Sequence, residues 1–217
     1  MKPFEMKPNV YWSGALHPDL RIFDIIMQTK NGTTYNSYLI RDDKVAVIDT
    51  VKEKYSEPYL EHLASLTPLD QIDYIVVQHT EPDHSGSLNA LLEVAPNATV
   101  VCSKGAVKYV QNTLNRDVPL QPVKNGETLS LGQKELQFVV QPNVHWPDTM
   151  MTYMSTENIL FPCDVFGAHF CDSLMFNDEI TRDFWPDFKY YFDMIMRPFK
   201  KNVRSAFKSA SSSFISA

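Results

Sequence analysis

Apolar residues come in short blocks and alternations separated by polar turns. Tyr35–Ile40 and Val45–Asp49 read as two strands joined by the charged turn Arg41 to Lys44. Tyr59–Leu66 places Leu60, Leu63, Ala64 and Leu66 at the spacing of a short amphipathic helix. The β-branched stretch ending at Val77 predicts a buried strand over Tyr74–Gln78, followed by a helix over Leu88–Val94. Thr99–Cys102 reads as a further strand and Ala106–Leu114 as a further helix. Leu136–Val140 leads towards His145, and Asn158–Phe161 leads to Asp164. Alternation of strand and helix, then strand-rich segments, predicts an α/β fold of two sheets flanked by helices. Periodicity does not choose among architectures of that class.

The strand Tyr74–Gln78 ends in His79-Thr80-Glu81-Pro82-Asp83-His84, four potential metal ligands in six residues. Imidazole and carboxylate at that density suit a borderline or hard divalent ion. A polar loop capping the next helix, with Asp83 as the cap, is the plainer alternative. In an extended backbone His79 and Glu81, two residues apart, share one face. Asp83 continues that series, and a turn there would aim His84 at a second ion. His145 and Asp164 also stand beyond the ends of apolar runs. The apolar Leu160, Phe161 and Phe166 around Asp164 argue against a solvated loop carboxylate.

The run resembles the H-x-H-x-D-H signature of the metallo-β-lactamase fold, with Glu81 in place of the second histidine. That exchange is the mark of the flavodiiron proteins (A-type flavoproteins). The resemblance extends through Asn9–Trp12, Asp19–Arg21, Gly32–Asn36, Asp49–Lys52, Asn143–Pro147, Asp164–Gly167 and Tyr190–Asp193, in family order. It implies a four-layer αβ/βα sandwich with two irons at one edge of the sheets. It places His79, Glu81 and His145 on the first iron, Asp83 and His84 on the second, and Asp164 between them. It further implies reduction of dioxygen to water or of nitric oxide to nitrous oxide. A carboxylate in place of imidazole stabilises Fe(III) and suits redox work better than zinc hydrolysis. An oxygen- or NO-binding sensor and a zinc hydrolase are the alternatives. Of the pair Tyr190 and Tyr191, the second is a candidate proton donor, although Tyr191, Ile195 and Phe199 also recur at packing spacing. His169 is expected beside the site rather than as a ligand, and His17 and His62 as structural residues without a polar cluster.

Composition narrows the picture further. A net charge of −6 excludes nucleic acid as a main partner. No segment approaches the roughly 20 apolar residues that span a bilayer, and the first residues lack the apolar core of a signal peptide. Three cysteines without paired spacing fit a reducing cytoplasm. The expected organisation is a metallo-β-lactamase-like diiron domain over residues 1–207 and a polar tail over 208–217. The chain departs from the family in two respects. Nothing in it resembles the phosphate-binding loop of a flavodoxin-like domain, so no FMN site is expected here. No histidine follows His169, where the family carries another ligand of the second iron. Truncation at the C-terminal end is therefore expected, with electrons coming from a separate flavoprotein or rubredoxin. A homodimer is one assembly this reading admits.

Overall fold

A computed structural model describes residues 2–215, with side chains through 209. The chain begins with β1 (Phe4–Lys7), β2 (Val10–Trp12), β3 (Ala15–His17), β4 (Ile22–Phe23) and β5 (Met27–Gln28). It continues through β6 (Thr33–Tyr35), β7 (Tyr38–Ile40), β8 (Val45–Ile48), α1 (Ser56–Ala64), β9 (Ile72–Val77), α2 (Pro82–Ser85) and α3 (Leu88–Val94). Next come β10 (Thr99–Ser103), α4 (Val107–Leu114), β11 (Leu120–Val123), β12 (Thr128–Ser130), β13 (Glu135–Val140), β14 (Met150–Met154) and β15 (Ile159–Phe161). Helices α5 (Trp185–Tyr191) and α6 (Lys200–Ile215) close the order.

One sheet has seven strands in the order β1-β2-β7-β8-β9-β10-β11, and a second has four in the order β12-β13-β14-β15. Strands β8 to β11 run parallel, whereas the first strands and the whole second sheet are antiparallel. Of the parallel strands, β8, β9 and β10 are largely buried on both faces, which is why they read as continuous apolar runs, whereas β11 is a partly exposed edge strand.

Side-chain alternation along these strands builds the layers. Leu39, Val47, Ile75, Val77 and Val100 point to one face, where they pack with Tyr59 and Leu63 of α1, Leu88 and Leu91 of α3, and Val110 of α4. Their neighbours Ile40, Ala46, Ile48, Val76 and Val101 point to the other face and meet Leu136, Phe138, Met150, Met154 and Phe161 of the second sheet. On the far side of that sheet Val139 and Met151 pack with Tyr191 of α5 and with Val203 and Ala206 of α6. Helix, sheet, sheet, helix is the four-layer αβ/βα sandwich.

Several local readings change. Tyr35–Ile40 is not one strand: β6 pairs with β3 and β7 with β2 and β8. The break falls at Asn36 and Ser37, whose side chains bond elsewhere. Trp12 Nε1 donates to Asn36 Oδ1 at 2.9 Å, and Ser37 Oγ donates to the Asp49 carbonyl at 2.9 Å. Within the segment read as a polar tail over 208–217, α6 continues to Ile215. Lys200–Ile215 contains neither glycine nor proline, the two residues most costly in a helix interior, and the weaker propensity of serine does not outweigh that. Residues 216 and 217 lie outside the described residues. No described helix is long and apolar enough to cross a membrane.

Candidate metal centre

The ligand run sits at the carboxyl end of β9, an interior strand of the seven-stranded sheet. Glu81 keeps an extended backbone (φ −60°, ψ 144°) and caps α2, with Pro82 in its first turn. His79 and Glu81 are therefore delivered by extended chain, and Asp83 and His84 by a helical turn. The Thr50 amide and hydroxyl pin that turn by donating to the His84 carbonyl at 2.7 and 2.8 Å. His145 comes from the connection between β13 and β14. Asp164 follows β15 after a tight turn in which Cys163 adopts φ +52°. Both sheets thus contribute.

The donor atoms fall into two sets. Nε2 of His79 and Nε2 of His145 each lie 3.1 Å from Glu81 Oε2. The same two nitrogens lie 3.7 and 3.4 Å from Asp164 Oδ2. All four residues bring ligand atoms within 4.8 Å of one another. On the other side His84 Nε2 is 3.0 Å from Asp164 Oδ1 and 3.8 Å from Asp83 Oδ2. One carboxylate therefore presents a different oxygen to each histidine set, as a bridging ligand does.

Carboxylates behind the rings fix which nitrogen faces inward. His79 Nδ1 donates to Asp148 Oδ1 at 3.2 Å, and His84 Nδ1 donates to Asp49 Oδ2 at 3.1 Å. Each Nε2 is left as a lone-pair donor, the usual arrangement around a metal-bound histidine. Asp49, His84 and Cys163 also lie close enough to form a ligand trio. Asp49 is better described as an orienter, because its oxygens already accept from the Gln78 amide (2.8 Å), Gln78 Nε2 (3.1 Å) and His84. Burial holds the Cys163 thiol well above its ordinary value, which favours the protonated form.

The charges within the cluster are strongly coupled. Burial acts against ionisation of Glu81 and Asp164, yet the facing imidazoles hold both carboxyls well below their usual range. Burial alone would lower His79 and His145. Their carboxylate partners override it and hold both at about 9. Asp83 is pushed up to about 6, by burial and then by the charges of Asp164 and Glu81. Its Oδ1 is buried without a hydrogen-bond partner. Metal-sized demand is thus met by nitrogen and oxygen donors, with one oxygen left unsatisfied: the residues fit a pair of divalent ions.

A cavity of about 170 Å³ borders the second set, lined by Tyr35, Asp83, His84, Asp164, His169 and Tyr191 among others. Thr33 Oγ1 bonds His169 Nδ1 at 3.1 Å, while His169 Nε2 is buried without a partner. His169 is outside the ligand cluster, and burial drops it to about 4. Tyr191 is buried on this cavity and Tyr190 is 37% exposed. Burial, then the Asp164 charge, raises the Tyr191 hydroxyl well above its ordinary value.

Reasoning from sequence missed Asp49, Asp148 and Asp24. Asp24, in the turn between β4 and β5, hydrogen-bonds Glu81; the bond raises the Asp24 carboxyl and lowers that of Glu81, so the protonated Asp24 donates. A signal existed for two of them: Asp49 directly follows β8, the neighbour of β9, and Asp148 stands three residues after His145. The expectation that His17 lacks polar company is corrected. Its Nδ1 lies 2.9 Å from the Tyr35 hydroxyl and its Nε2 2.8 Å from Lys54 Nζ.

Fold and site together define a metallo-β-lactamase-like sandwich with a two-metal edge. A family model described as "ODP family beta lactamase" matches residues 33–215. Type A flavoprotein fprA of Rhodobacter capsulatus is 45% identical over 208 residues, covering 94% of this chain and 48% of that protein. The flavodiiron protein from Giardia intestinalis superposes with a TM-score of 0.93 at 36% identity, over 98% of this chain and 52% of that one. Rubredoxin oxygen:oxidoreductase from Desulfovibrio gigas gives 0.92 at 31%, over 97% and 53%. The chain spans about half the length of these relatives. It belongs to the ODP family, as a metallo-β-lactamase-like diiron domain of the flavodiiron proteins.

Proposed function

We propose that the chain holds two irons and serves as the reducing centre of an oxygen or nitric oxide reductase. His79, Glu81 and His145 hold the first ion, Asp83 and His84 the second, and Asp164 bridges. The observation that carries this reading is the division of Asp164, Oδ2 towards His79 and His145 and Oδ1 towards His84. When bound, a reduced iron pair supplies electrons for converting dioxygen to water or nitric oxide to nitrous oxide. Glu81 adds negative charge and favours the ferric state, which suits iron over zinc. Two irons store two electrons and dioxygen needs four, so an external donor is required. The Desulfovibrio gigas neighbour is named for rubredoxin and oxygen, and a rubredoxin or separate flavoprotein is the donor proposed here. Tyr191 on the cavity wall is a proton donor in this scheme. We place the protein in the cytoplasm, as a homodimer. The hydrolase and sensor readings draw less support, since the similar structures named above carry flavodiiron and oxidoreductase names.

The test is anaerobic loading with Fe(II), counting bound iron, and following gas consumption with reduced rubredoxin. Two irons with a spin-coupled spectrum and sustained uptake are expected. Asp164→Asn should abolish the coupling. Stoichiometric zinc with lactam or thioester hydrolysis would overturn the proposal.

A further inference from the structure

Reduction of dioxygen to water consumes four protons, and the buried metal cavity has to receive them from solvent. One hydrogen-bonded row joins the two. Lys54 is exposed, His17 is part-buried, and Tyr35 is 2% exposed and lines the cavity. The distances are 2.8 Å from Lys54 Nζ to His17 Nε2 and 2.9 Å from His17 Nδ1 to the Tyr35 hydroxyl.

The direction of donation follows from the donor chemistry. A lysine ammonium has only donors, so Nε2 of His17 must accept. Neutral imidazole with an accepting Nε2 carries its hydrogen on Nδ1, and Nδ1 therefore donates to the tyrosine oxygen. That leaves the hydrogen of the Tyr35 hydroxyl free for the cavity. Asp83 and Asp24 are the carboxylates whose charge reaches this hydroxyl, with Tyr55 beside it, and Asp83 Oδ1 is the unsatisfied buried oxygen there. Around His17 stand Lys54, Lys52 and Asp19, and burial together with the two lysines keeps the ring in its neutral form.

We propose that Lys54, His17 and Tyr35 form a directional proton-donor chain from the surface to the metal cavity, with Tyr35 as its last member. The idea rests on the reductase reading of the site. A proton leaves the Tyr35 oxygen for the cavity, and the Nδ1 proton of His17 replaces it. His17 Nε2 then takes a proton from Lys54, which solvent restores. The ring ends as its other tautomer and resets by exchange with solvent at its part-buried position. One proton enters for each one consumed.

Two measurements test this. In the metal-free chain, ¹⁵N spectra of the His17 ring should show a protonated Nδ1 and an unprotonated Nε2, and Lys54→Met should shift the ring towards the Nε2–H form. In the iron-loaded chain, Tyr35→Phe should slow gas reduction about 100-fold, the scale of one general acid, at unchanged iron content. His17→Ala should lose a similar factor and regain part of it with added imidazole. A protonated Nε2 in the parent chain, or full rate in Tyr35→Phe, overturns the chain. A parent protein that binds two irons and consumes no gas sinks the reductase reading instead, while the ring spectra still decide the direction of donation.

Discussion

Asp148 offers a sharp test, because its two oxygens have separate duties. Oδ2 accepts from the Thr80 amide at 2.8 Å and the Thr80 hydroxyl at 2.6 Å, while Oδ1 accepts from His79 Nδ1. In Asp148→Asn the two Thr80 donors require the remaining oxygen to stay where Oδ2 is. The new amide nitrogen must then face His79 Nδ1. An amide donates there, so Nδ1 becomes the acceptor and the ring hydrogen moves to Nε2, the atom that faces Glu81 and Asp164. A protonated Nε2 cannot ligate a metal. Loss of such a supporting carboxylate costs about 10- to 100-fold in metal affinity, or about 1.4–2.7 kcal/mol. Thr80 remains satisfied, so the fold itself should change little. Asp148→Ala, by contrast, strands a buried amide and should also lose about 1–3 kcal/mol of stability. Chelator competition measures the first quantity and denaturant melts of the metal-free chain the second. Unchanged affinity in Asp148→Asn would refute the tautomer argument, and equal melts for the two variants would refute the division of labour.

Other outcomes follow from the same geometry. In the metal-free chain His79 and His145 stand at about 9, above the ordinary value of about 6.5. Their contribution to stability is full below that value and disappears as pH rises through about 9, which urea melts at pH 6 and 9.5 would register. Metal uptake at the first set should run the other way, rising about tenfold per pH unit for each imidazole proton displaced. Glu81→His should lower the iron-to-zinc ratio of protein from iron-replete cells, and an unchanged ratio would show that the carboxylate does not decide the metal. At Gly86 an added Cβ would sit 2.4 Å from the Pro82 carbonyl and 2.6 Å from the Glu53 amide. Gly86→Val should therefore displace α2 with Asp83 and His84, weakening the second ion more than the first in a stepwise iron titration.

The candidate ligands stand out in the sequence because each follows an apolar run, and four of them fall within six residues of the chain. Three of the parallel strands, β8, β9 and β10, stand out for the same reason, as continuous Val- and Ile-rich stretches, whereas β11, with the sequence Leu-Gln-Pro-Val, does not. Strands β1 to β5 do not either, since two to four residues hold too little periodicity. Asp49 and Asp148 act on rings 35 and 69 residues away, and only the sheet order brings them together. His17 was misread for that reason too: Tyr35 is 18 residues and Lys54 37 residues distant, so no local pattern announces the cluster. The helical conformation of the serine-rich C-terminal run carries no clear signal, because polarity marks solvent exposure and does not by itself forbid a helix.

The order of the sheets has a consequence for biosynthesis. All seven strands of the larger sheet lie before residue 124, and His79, Glu81, Asp83 and His84 lie there with them. His145 and Asp164 belong to the smaller sheet, which leaves the ribosome later. Asp164 bonds a histidine 80 residues earlier in the chain. A nascent chain therefore displays an unfinished ligand set for several seconds, at about 5–20 residues per second, before the second half can dock. During that interval any divalent ion of the surrounding fluid can sample the open half. On the diiron reading proposed above, an ion would be enclosed only when the two sheets close on each other, which makes the timing of maturation a second influence on metal choice beside affinity.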